Sequence, residues 1–391
     1  MKIIHVCMVD AYAENWAYHR NIISEKNKAD GHDVVILTNQ YTMDQDGKDK
    51  KVEPGVSYTK TGIKIIRLKN RYDFLPDAFQ TRYRKTISVR DTLEKECPDV
   101  IMVHNLQFYN LGEIVNYRRS HPKVRLCGDT HADKFNSLSG NHPRRSRFIH
   151  FCIGKFMIRR LFRYFDKFIY ISIETKEFYR EMYGIDLSGA VFSPLPSPII
   201  GKEEKKKIRD RIRQELGLSD DILLFVHSGK MAKTKRTALL FQALKQTDIK
   251  CKLLIIGSIP DDNKALLKQY IQNESRAEYL GWMSADKLRE YIASADLYLQ
   301  PGTQSVTMCN SLAVGTPVMV YPHKSYRVYF NGCEYCVKNA DDIIQVLKRI
   351  GQNREELKEK SEKAYQTAHK YFDVETQAQM LYNMASKNQI L

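Results

Sequence analysis

The sequence has no apolar run near the roughly 18 residues that a membrane-spanning helix requires. Its first residues, Met1 to Val6, are typical of a strand, and no small-residue cleavage site of a secretory leader follows them. It also lacks an internal repeat of solenoid period. These absences argue against spanning and repeat architectures, and we expect no signal peptide.

Cysteine gives no sign of a disulfide framework, because the eight cysteines are mostly scattered singly along apolar segments, as reduced core cysteines are. Cys333 and Cys336 form one C-x-x-C with no second pair and no nearby His-x-x-x-His. A structural zinc site needs four ligands. We therefore expect no metal site and a cytoplasmic, reducing location.

The 391-residue chain is too long for one ordinary core and fits two domains. Its 43% hydrophobic and 28% charged residues are normal for a soluble globular protein. The formal net charge is +16. An excess of this sign predicts an anionic partner, and nucleic acid and anionic membrane are the usual candidates.

The positive charge is concentrated between Arg118 and Lys167, where 13 lysines and arginines stand against three acidic residues. Within it, residues 144–168 mix aromatic and aliphatic side chains with arginine and lysine at helical spacing. This pattern is typical of an amphipathic helix on an anionic membrane, and a core-facing helix with a solvated basic face is an equal alternative. No zinc-finger or RNA-recognition signature is present, so we do not expect nucleic acid.

Strand and helix patterns alternate along the first half of the chain. Strands are predicted at 34–38, 100–103 and 124–127, and a helix is predicted over 77–97, ending before Pro98. The polar, Asp/Lys/Gly-rich segment 41–57 is predicted to be a loop.

Three prolines between Ser193 and Pro198 exclude regular structure and mark a domain boundary. A second strand–helix series follows, and such alternation predicts a parallel sheet. The expected fold class is α/β, with two Rossmann-like parallel-sheet domains facing each other across a cleft. The expected domains are 1–196 and 197–370, and a C-terminal helix in 371–391 is expected to pack back on the first domain.

Two segments at predicted strand ends carry the chemistry. The stretch 297–323 runs from a strand through a Pro-Gly turn into a helix start rich in serine and threonine, where free backbone N–H groups suit phosphate. The strand at 222–227 runs into a cluster containing Gly229, Lys230, Lys233, Lys235 and Arg236. Crowded cations repel each other unless an anion lies among them. Both segments therefore predict a diphosphate site, and a solvated basic turn is the alternative for the cluster.

The ordered set of short motifs resembles the retaining glycosyltransferases of family 4, of the bacterial surface-polysaccharide type, which have the GT-B fold. Residues 229–235 resemble that family's G-R-L-x-x-x-K element, and 279–297 resemble its L-G-x-v-s run with the following A-D-v. Residues 312–318 resemble the later part of its E-A-M-A-C-G-x-P-V, and 31–34 resemble its G-H-e-V. The resemblance covers nearly the whole chain.

The resemblance implies sugar transfer from a UDP- or GDP-sugar, with no cofactor and no metal. Lys230 and Lys235 match the cations that hold the donor diphosphate and stabilise charge on the leaving group. His131 resembles the histidine that contacts the transferred sugar, and a structural, hydrogen-bonded histidine is the alternative. The predicted catalytic residues are His131, Asp129 and Gln304, and the predicted donor-binding residues are Gly229, Lys230, Lys235, Trp282, Ser305, Val306, Thr307 and Asn310.

Two departures from the family pattern matter. Glu14 and Asn15 lie where the family has a glycine-rich donor loop, and without those glycines they are predicted to meet the acceptor; the polar first turn of a helix is an equal alternative. The family's E-x7-E pair is also missing. Asn310 takes the place of the second glutamate, and Gln304 and Ser305 are nearest to the first.

The predicted function is a cytoplasmic glycosyltransferase, peripheral on the inner face of the cell membrane through residues 144–168. It transfers a sugar with retention to a lipid-linked or growing cell-surface glycan. A GT-B nucleotide-sugar 2-epimerase is a second hypothesis, and the missing carboxylates count against it. A non-catalytic nucleotide-sugar-binding subunit is a third, and the neutral loop 304–310 favours it.

Overall fold

The computed structural model of the protein describes residues 1–14, 18–43, 49–76, 85–137 and 154–385. The chain divides into two compact units, one made of Met1–Pro194 with Val374–Leu391 and the other of Leu195–Asp373. The chain first passes from one unit to the other between Pro194 and Leu195, inside the proline-rich segment 193–198. Within the described ranges, none of the helices combines the length and the apolar character that crossing a membrane requires.

The first unit is built on a mainly parallel sheet. Its described strands are β1 (Lys2–Cys7), β2 (Asp33–Thr38), β3 (Tyr41–Met43), β4 (Asp49–Lys51), β5 (Gly55–Tyr58), β6 (Lys64–Arg67), β7 (Val100–His104), β8 (Arg125–Thr130), β9 (Lys167–Tyr170) and β10 (Val191–Phe192). The sheet order is β10-β9-β8-β7-β1-β2-β6-β5, and β5 runs antiparallel to β6. The β3 and β4 strands form a separate hairpin. Strands β1 and β7 are buried along nearly their whole length, as parallel strands covered on both faces are.

The described helices of the first unit's long segment pack around this sheet. They are α1 (His19–Ala29), α2 (Val89–Glu96), α3 (Leu111–Ser120), α4 (Lys134–Ser137), α5 (Lys155–Phe162) and α6 (Ile173–Tyr183). Sequence signals fix the ends of α6: Thr175 N donates to the Ser172 Oγ cap at 3.0 Å, and Gly184 ends the helix with φ 65°.

The structure corrects three local predictions in this unit. The segment 41–57 contains β3, β4 and β5 rather than a continuous loop. The strand predicted at 124–127 extends to Thr130, because it pairs with β7 on one side and β9 on the other. Of the helix predicted over 77–97, residues 77–84 lie outside the described residues, and 85–88 are not helical because Thr86 bridges to Asn70.

The basic segment 144–168 is not one helix. Residues 144–153 lie outside the described part of the chain, and α5 ends at Phe162 in a turn that leads into β9. Tyr164 N and Phe165 N make the turn by donating to the carbonyls three residues earlier, each at 3.1 Å. Within α5, Ile158 faces the core, whereas Phe156 is 72% exposed and lies among exposed basic residues.

The second unit contains a fully parallel sheet in the described residues. Its strands are β11 (Leu223–Ser228), β12 (Cys251–Ile256), β13 (Ala277–Gly281), β14 (Leu297–Gln300), β15 (Val318–Val320) and β16 (Glu334–Cys336). The sheet order is β13-β12-β11-β14-β15-β16. If β11 to β16 are numbered one to six, this order is 3-2-1-4-5-6, which is the strand order of doubly wound nucleotide-binding sheets. The strand order reverses between β11 and β14, where such sheets bind their ligands.

The helices of the second unit alternate with these strands. They are α7 (Lys202–Glu215), α8 (Thr237–Lys245), α9 (Asp261–Gln272), α10 (Ala285–Ser294), α11 (Val306–Ala313), α12 (Lys324–Tyr329), α13 (Ala340–Gln352) and α14 (Glu355–Tyr371). Gly315 follows α11 with φ 65°, and a Cβ there would lie 2.1 Å from the Tyr365 ring. This position therefore requires glycine.

The last described helix, α15 (Val374–Ala385), belongs to the first unit. Glu375 pairs with Lys26 of α1, and Gln377 Nε2 donates to the Pro194 carbonyl at 2.8 Å. Met380 packs against a core cluster that contains Ile3. The C-terminal helix thus completes the first unit, although about 180 residues of the second unit separate it from the rest.

Lys205 of α7 gives the second unit a pH-dependent stability. Its Nζ donates to the Gly315 carbonyl at 2.6 Å and to Thr316 Oγ1 at 3.3 Å. Burial, with help from neighbouring Arg209, lowers the pKa of Lys205 to about 7 from 10.5. Between these pH values only the unfolded chain is protonated at this group. The free energy of unfolding should therefore rise with pH, by at most about 1.4 kcal/mol per pH unit.

Urea denaturation at pH 7.0 and 9.5 checks this expectation. We expect Lys205→Met to flatten the rise that the wild type shows, because it removes the titrating amine. Lys206→Met, at an exposed position in the same helix turn, is the matched control and should keep the wild-type slope. Equal slopes in the wild type and Lys205→Met would contradict the assignment.

Candidate functional site

The two predicted phosphate-binding segments lie at the strand-order reversal of the second unit. The basic loop, residues 229–236, follows β11. The Pro-Gly turn, residues 301–302, follows β14, which is the neighbour of β11 in the sheet. His227 of β11 joins the strands, since its Nδ1 lies 2.7 Å from the Leu299 carbonyl. Burial lowers the pKa of His227 to about 4, so this histidine is a neutral structural residue.

Lys235 is the distinctive side chain of the basic loop. It is only 8% exposed, and its ammonium has no hydrogen-bond or ion-pair partner among the residues that the structure describes. Its Nζ would lie 3.5 Å from a Cβ built on Gly229, whose φ is 123°. Burial lowers the pKa of Lys235. A buried cation without a counter-ion is costly, and an anion beside Gly229 would offset that cost.

The other cations of the loop are different. Lys230, Lys233 and Arg236 are exposed. Arg236 lies 4.8 Å from the centre of the Tyr321 ring and donates to the Lys338 carbonyl at 3.3 Å. Lys230 is directly next to Gly229, at the mouth of the same loop. The loop therefore contains one buried cation, Lys235, and three exposed cations.

Close backbone contact joins the loop after β14 to the basic loop. A Cβ on Gly302 would lie 2.3 Å from the Thr234 carbonyl oxygen and 2.5 Å from the Lys235 carbonyl carbon. Thr303 N also donates to the Thr234 carbonyl at 3.1 Å. The two segments from which the sequence predicts a diphosphate site are therefore in contact.

The start of α11 offers fewer free amides than the sequence suggested. Ser305 N donates to Tyr326 Oη at 3.0 Å, and Thr307 N donates to the Ser305 Oγ cap at 3.4 Å. The Val306 N–H has no acceptor within the described ranges. Val306 N–H, at the positive end of the helix dipole, is the group left to meet a phosphate oxygen.

Asn310, which replaces a family glutamate, is fixed by one bond. Its Oδ1 accepts from Ser197 Oγ at 2.5 Å, so its Nδ2 points elsewhere and has no acceptor in the described part of the chain. Gln304 is half-buried on the loop before α11. Trp282 follows β13 and is 76% exposed, which leaves its indole available for stacking on a base or sugar.

In the first unit, a cluster of histidines surrounds a buried carboxylate. Asp129 is completely buried in β8. His104 Nδ1, at the end of β7, lies 2.6 Å from Asp129 Oδ2, and His19 Nδ1 of α1 lies 3.5 Å from the same oxygen. His131 Nε2 lies 3.8 Å from Asp129 Oδ1 and 3.2 Å from His19 Nδ1.

The charge of Asp129 is held by this cluster. Burial alone would raise its pKa, but His104, His131 and His19 outweigh that effect and hold the pKa well below its ordinary value. Burial lowers the pKa of His19 to about 4, against the opposing effect of its contact with Asp129. A carboxylate is therefore stably ionised behind His131, the more accessible member of the cluster.

The structure places the remaining predicted residues as follows. Glu14 is half-buried in the segment after β1, and Asn15 lies outside the described residues. Asp129 belongs to β8, and His131 follows it, held by a 2.8 Å bond from its N–H to Asn105 Oδ1. The C-x-x-C is not a pair of equivalent thiols, because Cys333 is buried and Cys336 is exposed.

Sequence reasoning missed His19 and His104. The signal for His104 was present, because it ends a buried strand next to the one that carries Asp129. His19 had no such signal, since it begins a helix 110 residues away from Asp129 in sequence.

The comparisons with known proteins agree with this geometry. Residues 208–367 match the family model described as "Glycosyl transferases group 1". This group 1 segment contains both strand-end loops of the second unit.

Curated relatives and solved structures are similar to the chain. The "Lipopolysaccharide 1,2-N-acetylglucosaminetransferase" of Salmonella typhimurium is 21% identical over 68% of this chain and 64% of its own length. The "Putative teichuronic acid biosynthesis glycosyltransferase TuaC" of Bacillus subtilis is 22% identical over 54% of each chain. The chain thus spans less than two thirds of either relative.

The crystal structure of Anabaena HepE in complex with UDP superposes with a TM-score of 0.69 at 15% identity, covering 99% of this chain and 100% of that one. The likeness confirms the predicted fold class, an α/β protein of the GT-B type with two Rossmann-like units. The group 1 segment occupies the second of these units.

Proposed function

We propose that the protein is a hexosyltransferase that moves a sugar from a nucleoside-diphosphate sugar to a lipid-linked or growing cell-surface glycan. The observation that carries the proposal is the enclosed ammonium of Lys235, which lacks an ion-pair partner among the residues described, at the strand-order reversal of the group 1 segment. The names of the two curated relatives support surface polysaccharides as the product class. HepE was also crystallised with UDP-glucose, which favours a UDP-sugar over a GDP-sugar.

In the proposed complex, each group of the second unit has one task. Lys235 and Lys230 bind the diphosphate and stabilise the charge that develops on it as the sugar leaves. The Val306 N–H supplies a further donor to phosphate, and Asn310 Nδ2 donates to a ribose hydroxyl. Trp282 stacks on the base. Two lysines take the diphosphate charge, so we propose that donor binding needs no metal and no cofactor.

The proposed sugar-side residues belong to the first unit and to the loop before α11. His131, held against the ionised Asp129, contacts the transferred sugar, and Gln304 lies on the donor side. Glu14 and Asn15 are proposed to meet the acceptor. We propose retention of the anomeric configuration, since the motif order resembles that of retaining enzymes.

A nucleotide-release assay tests the function. Purified protein is incubated with a panel of UDP- and GDP-sugars, with and without lipid-linked acceptor glycans. Acceptor-dependent release, abolished in His131→Ala with UDP binding unchanged, is the expected result. Binding without release across the panel would favour a non-catalytic nucleotide-sugar-binding subunit, and conversion of the donor without acceptor would favour an epimerase. Either outcome contradicts the transferase.

We also propose that residues 144–168 dock the protein on the inner face of the cell membrane. In the described part of this segment, Phe156, Arg159 and Arg160 of α5 are exposed, which pairs an apolar side chain with cations as surface-binding helices do. We expect the wild type to pellet with anionic vesicles and the Phe156→Ser/Arg160→Glu variant to lose most of that binding. Lys206→Glu, on an exposed face of the other unit, is the control. Pelleting that is indifferent to anionic lipid would contradict docking.

A further inference from the structure

Three side chains of the first unit direct one atom each to a common point. One ligand atom each of His19, His104 and Asp129 lies within 4.8 Å of the other two. A divalent ion holds nitrogen and oxygen ligands at about 2.0–2.2 Å, so its ligands lie about 3–4 Å apart. The observed distances to Asp129 Oδ2, 2.6 Å from His104 and 3.5 Å from His19, require shifts of less than about 1 Å.

Hydrogen bonds hold the far side of the His104 ring in place. His5 Nδ1 lies 3.0 Å from His104 Nε2, and His5 Nε2 lies 2.9 Å from Asn27 Oδ1. His104 Nδ1 is the nitrogen that faces Asp129.

The other nitrogen of His104, Nδ1, lies 2.6 Å from Asp129 Oδ2. His19 Nδ1 of α1 converges on the same carboxylate oxygen at 3.5 Å. A proton on each imidazole accounts for these two contacts, and one divalent ion could replace both protons.

We propose that the first unit binds a divalent first-row transition-metal ion through His19, His104 and Asp129. Two imidazoles and one carboxylate are a donor set typical of zinc and non-haem iron(II) sites that keep an open position, and they do not suit Mg²⁺ or Ca²⁺. The bond from His104 Nε2 to His5 is the outer-shell contact that metal-bound histidines normally have. His131 borders the site on its more accessible side, 3.2 Å from His19 Nδ1.

The ion is distinct from the donor diphosphate, which the proposed function assigns to lysines of the other unit. The metal site does not depend on that function, because its ligands would bind the ion without a nucleotide-sugar. Neither does it involve the C-x-x-C. It revises the expectation of a metal-free protein, which came from the cysteines and from the family resemblance.

Metal binding by the full chain tests the site directly. Protein treated with a chelator and dialysed is titrated with Zn²⁺ and Co²⁺ by calorimetry, and bound metal is counted by plasma mass spectrometry. We expect one ion per chain, visible d–d absorption with Co²⁺, and a higher thermal midpoint. His19→Ala and Asp129→Asn should each lower the affinity by more than about 100-fold, and His5→Gln by about 10–100-fold.

His121→Ala is the matched control, because its partly exposed imidazole lies in the same unit, after α3; it should bind metal like the wild type. Circular dichroism monitors folding of each variant. His19, at the first residue of α1, keeps the test interpretable if Asp129→Asn fails to fold. Absence of stoichiometric binding in the wild type, or binding that His19→Ala leaves unchanged, would contradict the metal site. His19, His104 and Asp129 would then be linked by hydrogen bonds alone.

Discussion

Replacing Lys235 with alanine is expected to weaken UDP binding by about 100-fold or more and to leave the second unit folded. The ammonium is enclosed, has no counter-ion among the described residues and lies beside Gly229 at the strand-order reversal. A buried charge–phosphate contact of this kind contributes roughly 3 kcal/mol to binding. Removing the cation also removes its desolvation cost, so the thermal midpoint of the nucleotide-free protein should stay or rise.

Calorimetric titration with UDP and a thermal scan of each variant measure the two effects. Lys233→Ala is the matched control, since Lys233 belongs to the same short turn but is exposed; we expect it to change affinity by less than about threefold. Unchanged UDP affinity in Lys235→Ala would remove the diphosphate from this loop. A large fall in thermal midpoint would instead identify Lys235 as a structural residue.

Replacing Gly302 with alanine is expected to lower both the UDP affinity and the stability of the second unit. The added methyl group would lie within 2.3–2.6 Å of three backbone atoms of Thr234 and Lys235. Backbone cannot yield as a flexible side chain does, so the loop after β14 must move away from the basic loop. We expect a loss of about 1–3 kcal/mol in stability and at least a tenfold loss in affinity.

Gly201→Ala is the control for this substitution. A Cβ at Gly201 would meet nothing within 4 Å, and its φ of −65° suits any residue. Thermal denaturation and UDP titration of the two variants separate the effect of the contact from that of losing a glycine. Wild-type affinity in Gly302→Ala would show that the two loops do not act as one site.

Much of the second unit could be predicted from its sequence. Strands β11 and β14 are short, largely apolar runs followed by Gly229 and Pro301, so they were located to within a residue or two. That β11 and β14 are neighbours in the sheet followed only from the doubly wound pattern, because two strand–helix units lie between them in sequence. The position of the candidate site was thus predictable, and its internal geometry was not.

The enclosure of Lys235 could not be predicted. Four cations occur within seven residues of that loop, and the sequence treats them alike. A 3₁₀ turn over Lys233–Lys235, followed by Arg236 with φ 54°, buries one of them and exposes its neighbours. The backbone of this turn is in close contact with Gly302, which is distant in sequence.

The histidine cluster shows the same limit in the first unit. His104 and Asp129 could be placed at neighbouring strand ends from the strand pattern alone. His5 and His19 join them only through the exact packing of β1 and α1, which no local pattern records. The error over 85–88 has a similar cause, because the pairing of Thr86 with Asn70 overrides a helical pattern there.

The return of α15 to the first unit gives the chain a thermodynamic linkage between its two units. Ser197 N donates to the Phe372 carbonyl at 2.9 Å, so the folded second unit holds its own two ends together. If that unit unfolded, docking of α15 would have to close a loop of about 180 residues, at an entropic cost of roughly 4–5 kcal/mol. A nucleotide that stabilises the second unit should therefore also protect the amides of α15 and β1 against hydrogen exchange.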